Sequence, residues 1–312
     1  MKELQIGKDI SNILKGISCL LIVAHHYCLW LDGKGIDNFF VHFIGVRGGV
    51  IGVTIFFFLS GWGLSESQKK NKYPLKVYAK RRLSKVFIPL LLTNIIYFSI
   101  LLVFNKISFT VSSFVLTSLN LKLRDGVLWF CNVILIFYLV FYFSFLPASK
   151  WIKVVICLSA TVLYSIAATF IYPDCPFYVY SIIGFPLGMI LSLYKEVALC
   201  FKIWGTLSLF IIFFLVIGSF LLPTYEKLFF MNLASLFIVA LIVFTAVISS
   251  KVDSSRKLVV LPFIGMFSYE IYLLHNKVLL SLAENGCLFW YPLAFLLIVL
   301  PLSILLKRIT RF

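Results

Sequence analysis

Residues 10–30 read ISNILKGISCLLIVAHHYCLW, and this stretch decides the fold. Lys15, His25 and His26 are its only basic side chains, and at about 1.5 Å per residue it is long enough to cross about 30 Å of hydrocarbon as a helix. Lys15 and His26 are eleven positions apart. At about 100° per residue that is roughly three whole turns, so the two side chains share a face and stand about 16 Å apart along the axis. Ionisable groups at membrane depth are costly, and they usually face a cavity and mark a functional path. The alternative is that Lys15 snorkels toward the interface while His26 is a hydrogen-bonded core histidine.

The same pattern recurs to the end of the chain. With 62% hydrophobic and 13% charged residues over 312 positions, the composition excludes an ordinary soluble domain. About ten stretches approach spanning length: 10–30, 46–64, 84–104, 127–146, 152–171, 177–194, 203–222, 229–249, 259–281 and 287–306. The segment 107–120 is shorter and richer in Ser and Thr, as a re-entrant or interfacial piece would be. The first apolar segment has no clear small-residue cleavage site, so it is read as a retained span. The reading is an all-α polytopic bundle of about ten transmembrane helices. It forms a single transmembrane domain over residues 1–312, and short connections leave no room for a separate soluble domain.

A net charge of +16 would point to nucleic acid in a soluble protein. Its distribution points to a membrane instead. If the N-terminus is cytoplasmic, the far side holds only Lys34, Arg47, Lys106, Lys122, Arg124, Lys227 and Lys277 of the 28 Lys and Arg residues. That is the positive-inside bias, and it places both termini in the cytoplasm of a multi-pass cell-membrane protein with no nucleic-acid partner. The seven cysteines are scattered, with neither metal-ligand spacing nor a disulfide framework.

Three polar features stand out within the spans. The second span carries Gly48, Gly49, Gly52, Gly61 and Gly63, which allow close approach of a neighbouring helix or of a ligand. After it, Arg81, Arg82 and Lys85 cluster where the third span enters the membrane, a place for anionic lipid headgroups or for a phosphorylated cytosolic ligand. Late in the chain, Ser268 and His275 share one helix face while Glu270 and Lys277 share another. Counted from the inner boundary, His275 and His26 reach a similar depth in the outer half of the membrane, which favours one shared polar chamber. His25 is rotated about 100° from His26 toward a neighbouring helix, and His42 falls in the first external loop.

In order along the chain, five segments resemble the membrane-bound acyltransferase-3 family. ILKGISCLLIVAHH, ending at His26, is similar to the family's opening motif, in which a basic residue precedes a histidine by eleven positions. GVTIFFFLSGWGLS resembles its Gly-x-x-x-Phe-Phe-x-x-Ser-Gly span, and YAKRRLSKVFIPL its basic entry to the third span. LWFCNVILIFYLV is similar to its Leu-Trp-Phe span, and SYEIYLLHN to its late Ser-Tyr-x-x-Tyr-Leu-x-His segment. The resemblance runs nearly end to end. Lys15 departs from it, standing where the family usually has Arg, and a lysine offers a point charge in place of a forked contact. Some larger members also carry an extracytoplasmic esterase-like domain, which this sequence lacks.

The resemblance implies an O-acyltransferase using acyl-CoA, most often acetyl-CoA, as donor, and no metal. The acceptor would be a hydroxyl of a glycan or of a lipid-linked sugar. His26 is then the general base or a transient acyl carrier, and His275 assists the acceptor hydroxyl or the thioester oxygen. Lys15, Arg81, Arg82 and Lys85 would hold the donor's phosphates, with Ser60, Tyr269 and Tyr272 as further donors to substrate. The competing expectation is a polytopic transporter or flippase for a glycan or lipid-linked intermediate. It would need many spans and a polar interior but would form no acyl product.

Overall fold

Helix is the only regular structure among the described residues, as expected where no water is at hand to satisfy the backbone. The computed structural model describes residues 5–36, 38–195, 233–234, 237–242, 245 and 259–310. Among the described residues, six helical segments are long and apolar enough to cross a membrane: Lys8–Asp32, Phe39–Asn71, Leu75–Val103, Gly126–Ser144, Lys150–Ile171 and Leu288–Thr310. Lipid-facing positions such as Phe170 and Val103 leave about four-fifths of their surface open (82% and 77%). The chain is a multi-pass membrane protein. Of the expected spans, 203–222 lies outside the described residues, and so does most of 229–249.

Two expected spans are interrupted. Residues 177–194 form two short helices, Phe177–Tyr180 and Gly184–Leu193, parted by a turn at Ser181–Ile183. Residues 259–281 break at Phe267, whose ψ of 8° is not helical. His42, read from sequence as part of a loop, lies instead in the first turn of Phe39–Asn71. The segment 107–120 contains the short helix Val111–Ser118, capped by the Thr110 side chain accepting from Ser113 N at 3.1 Å. Asn105 and Asn120 bracket it at φ of 53° and 60°, a left-handed conformation that asparagine tolerates better than most residues.

In chain order the helices are α1 (Lys8–Asp32), α2 (Phe39–Asn71), α3 (Leu75–Arg82), α4 (Ile88–Val103), α5 (Val111–Ser118), α6 (Trp129–Ser144) and α7 (Lys150–Ile171). After them come α8 (Phe177–Tyr180), α9 (Gly184–Leu193), α10 (Val260–Met266), α11 (Ser268–Glu284), α12 (Tyr291–Ala294) and α13 (Leu300–Thr310). They fall into two compact units. The first comprises Met1–Ile22, Val46–Lys72 and Phe137–Met266; the second comprises Val23–Gly45, Tyr73–Ile136 and Phe267–Phe312.

Within the first unit, α2 and α9 pack backbone to backbone. A Cβ at Gly61 would sit 2.1 Å from the carbonyl oxygen of Phe185, and one at Gly188 would sit 2.1 Å from that of Phe58. Lipid tails are as apolar as Leu side chains, so burial alone does not drive such helices together; close van der Waals approach of small residues does. Beside this seam Phe57, Phe137, Phe141 and Phe185 are wholly buried, with Phe137 and Phe185 rings 5.2 Å apart. At the end of α2, Glu66 accepts from Ser192 at 2.6 Å and pairs with Lys69 at 2.6 Å and Lys195 at 2.7 Å.

In the second unit, two helices carry a wider π turn: Leu83–Phe87 just before Pro89, and Phe295–Val299 just before Pro301. A proline has no N–H to give the carbonyl four residues back, and its ring crowds that carbonyl, so an extra residue in the turn relieves both problems. An amide web ties α4 and the end of α5 to α6. Asn94 donates to Asn120 at 3.2 Å, and Asn120 donates to Asn132 at 2.9 Å and to the Leu128 carbonyl at 3.1 Å.

Candidate functional site

All the functional geometry converges on α11, SYEIYLLHNKVLLSLAE, in the second unit. Its polar residues Ser268, Glu270, Tyr272, His275, Asn276 and Lys277 are all buried, which a lipid-exposed helix would not permit. His275 has no exposed surface. Its Nδ1 lies 2.8 Å from the Tyr272 carbonyl oxygen and 3.2 Å from that of Ile271. A carbonyl can only accept, so Nδ1 carries the hydrogen and Nε2 keeps its lone pair. That Nε2 is buried without a hydrogen-bond partner among the described residues.

The ring of His26 lies 5.4 Å from that of His275, centroid to centroid, with an interplanar angle of 35°. His26 is partly exposed, whereas His275 is sealed. His25 packs edge-on against His26 at 4.6 Å and directs its Nδ1 toward the Ile44 carbonyl oxygen at 3.4 Å. The structure therefore brings together the two imidazoles that the sequence set at matched depth, and it turns His25 to α2.

The other sequence candidates take different places. Tyr272 sets its ring 5.7 Å from that of His275, tilted by 41°, and donates its hydroxyl to the Val127 carbonyl. Tyr269 donates to the Val86 carbonyl at 2.7 Å and lies 3.9 Å from the Cys131 sulfur. Both tyrosines thus brace α11 against neighbouring main chain. Ser60 lies on α2 in the first unit, and Lys15, half-buried, lies on the part of α1 that belongs to that unit.

Arg81, Arg82 and Lys85 sit at the α3 end and in the π turn that follows. Arg81 stacks over the Tyr73 ring at 4.2 Å, and Arg82 faces the Tyr78 ring at 5.7 Å. Lys85 lies within electrostatic range of Arg82, Arg81 and Lys307, so this end of the unit is strongly positive. Lys307 also pairs with Glu270 at 3.3 Å, the one carboxylate that the sequence placed clearly within a span.

Sequence reasoning missed a buried ion pair. Asp125 precedes the Gly126–Ser144 span and is 1% exposed, and its Oδ2 accepts from Lys277 Nζ at 2.9 Å. Its Oδ1 accepts from Asn276 Nδ2 at 2.6 Å and from the Val127 N–H at 3.2 Å. Burial alone would push the Asp125 carboxyl up; the Lys277 ammonium and the donated hydrogen bonds outweigh it and hold the group below the usual carboxylate range. The sequence signal was the Asp-Gly step before an apolar helix, a capping pattern that says nothing of a lysine so far along the chain.

An open cavity of about 440 Å³ runs along α4, α11 and α13, lined by residues such as Leu92, Ile96, Leu274, Leu302 and Leu305. Lys277 and Tyr97 edge it, but neither His26 nor His275 does. Its walls are apolar and suit hydrocarbon, so the polar chemistry belongs to the histidines.

A sealed, lone-pair-bearing imidazole beside a second and more accessible one can take a proton from a hydroxyl or carry an acyl group. No curated protein and no solved structure matches the chain significantly. The family model described as an acyltransferase domain matches residues 9–308, essentially the whole chain. With that match, the membrane-spanning helices and the ordered motifs around both histidines, the chain belongs to the acyltransferase-3 family.

Proposed function

We propose that this membrane acyltransferase moves an acyl group, acetyl in the simplest case, from acyl-CoA to a hydroxyl of a glycan or of a lipid-linked sugar, in the cell membrane. The observation that carries the reading is the Nε2 of His275, buried with no hydrogen-bond partner among the described residues, on a ring whose centre lies 5.4 Å from that of His26. A buried polar atom left without a partner is expensive, and a substrate hydroxyl is the kind of group that would relieve it. Neutral imidazole is the required form, and the two carbonyls at Nδ1 favour the tautomer that keeps Nε2 basic.

In this reading Nε2 of His275 takes the acceptor proton as the acceptor oxygen bonds to the thioester carbonyl carbon. The tetrahedral intermediate collapses by breaking the carbon–sulfur bond. The departing thiolate recovers the proton from His275, leaving the acyl ester and free CoA-SH. His26, the more accessible ring, faces the donor and either hydrogen-bonds the thioester oxygen or carries the acyl group in transit. Arg81, Arg82 and Lys85 supply the positive surface for the donor's phosphates on the cytoplasmic side, where the positive-inside bias also puts both termini. Lys15 enters this reading through its place on α1, about 16 Å before His26.

The test uses isolated membranes containing the protein and radiolabelled acetyl-CoA. Label should appear in a glycan or lipid fraction, and both His26→Ala and His275→Gln should stop it at unchanged protein yield. Transfer that survives both substitutions would defeat the reading. Export of an unmodified glycan with no labelled product would favour a transporter.

A further inference from the structure

We propose that Asp125 is a positioning residue for acyl transfer: through Lys277, Asn276 and the Val127 main chain it grips the turn of α11 that presents His275. The inference rests on the assignment of His275 as the proton acceptor. Three contacts build the grip. Asp125 Oδ2 accepts from Lys277 at 2.9 Å, and Oδ1 accepts from Asn276 at 2.6 Å. Oδ1 also accepts from the Val127 N–H at 3.2 Å, and the Val127 carbonyl in turn accepts from the Tyr272 hydroxyl.

These contacts bracket the imidazole along the chain. Asn276 and Lys277 follow His275 directly, and Tyr272 precedes it by three residues while accepting from its Nδ1 at 2.8 Å. The segment Asp125–Val127 therefore holds α11 on both sides of the histidine. Neither the rotation of the turn nor its height along the axis can change without breaking one of the bonds. Tyr291 adds a donor to the His275 carbonyl at 3.3 Å, and Lys277 packs over the Tyr97 ring at 4.9 Å.

The choice of charged groups is itself informative. A buried ion pair seldom beats a well-packed apolar pair for stability, because two charges must be stripped of water. A simple staple between two helices needs no carboxylate that is 1% exposed and no lysine that is 7% exposed. The turn Gly126–Leu128, which Asp125 caps, also fixes the start of α6. One side chain thus ties the turn that carries the base to the start of α6.

Asp125→Asn, assayed in membranes as the full chain, should lower kcat on the order of 100-fold while KM for acyl-CoA stays near the parent. Diethyl pyrocarbonate labelling of His275, read by mass spectrometry against His26 in the same chain, should rise as the turn loosens. A kcat within about threefold of the parent, or an unchanged labelling ratio, would overturn the proposal. If Asp125→Asn fails to fold, the double variant Asp125→Leu/Lys277→Met removes both charges and takes its place; parental kcat there is equally fatal. Labelling needs no turnover, so it separates this idea from the assignment of the base: full activity in His275→Gln would sink the latter and leave the labelling result standing.

Discussion

The ring of His26, on the first transmembrane helix, stands 5.4 Å from the ring of His275 near the other end of the chain, and the two differ in kind. His275 is sealed and its tautomer is held by two carbonyls, while His26 keeps part of its surface open. Paired imidazoles with unlike surroundings suit a division of labour between acceptor and donor.

That division predicts unequal losses. His275→Gln should lower the rate by about 100- to 10,000-fold, the range typical of a lost general base. His26→Ala should in addition weaken saturation by acyl-CoA if its ring meets the donor. Steady-state kinetics on purified protein in detergent or nanodiscs would show this, and equal effects on both parameters in both variants would argue against distinct roles.

Arg82→Gln should raise the apparent KM for acyl-CoA by roughly tenfold, as expected when one charge-assisted contact to phosphate is lost. The comparison substrate is an acyl-pantetheine lacking the nucleotide. The variant and the parent should use it equally well, and a difference there would shift the role of Arg82 from donor phosphates to lipid or to folding.

Removing one member of the Asp125–Lys277 pair should cost about 3–5 kcal/mol of stability, because the other charge is left buried alone. The Asp125 carboxyl sits below its ordinary range, so its contribution is fully present above about pH 4, the unfolded value, and is lost as pH falls through the folded one. Thermal unfolding followed against pH should therefore show an acid limb that flattens in Asp125→Asn. An unaltered limb would mean that other carboxylates carry it.

Gly188→Leu should prevent α2 and α9 from meeting, since even a Cβ there falls 2.1 Å from the Phe58 carbonyl oxygen. Gly63→Ala, on the same helix α2 but with open space around the position, should be tolerated. Size-exclusion profiles of the two variants check the contrast. Monodisperse protein from Gly188→Leu would refute the seam.

Membrane residence and helical class were legible in apolar runs such as residues 10–30, and the family in five ordered motifs that resemble it. The spans follow from local pattern: apolar length sets a span, and eleven residues return a helix to the same face. The interruptions were less legible. The stop at Phe267 falls between Gly265 and Ser268, both weaker helix formers than alanine, but two such residues inside a long apolar run do not by themselves announce a break. The tyrosines Tyr269 and Tyr272 show the same limit, since a phenol reads alike in sequence whether it donates to a substrate or, as here, to a main-chain carbonyl.

The sequence by itself determined that this chain lives in a bilayer as helices, because hydrocarbon tolerates little else and the apolar runs are the right length. Only the tertiary structure decided that Asp125 meets Lys277, that His275 carries its hydrogen on Nδ1, and that its Nε2 is buried with no partner among the described residues. Those facts depend on contacts between residues far apart in the chain and on distances of a few tenths of an ångström. One-dimensional patterns carry neither.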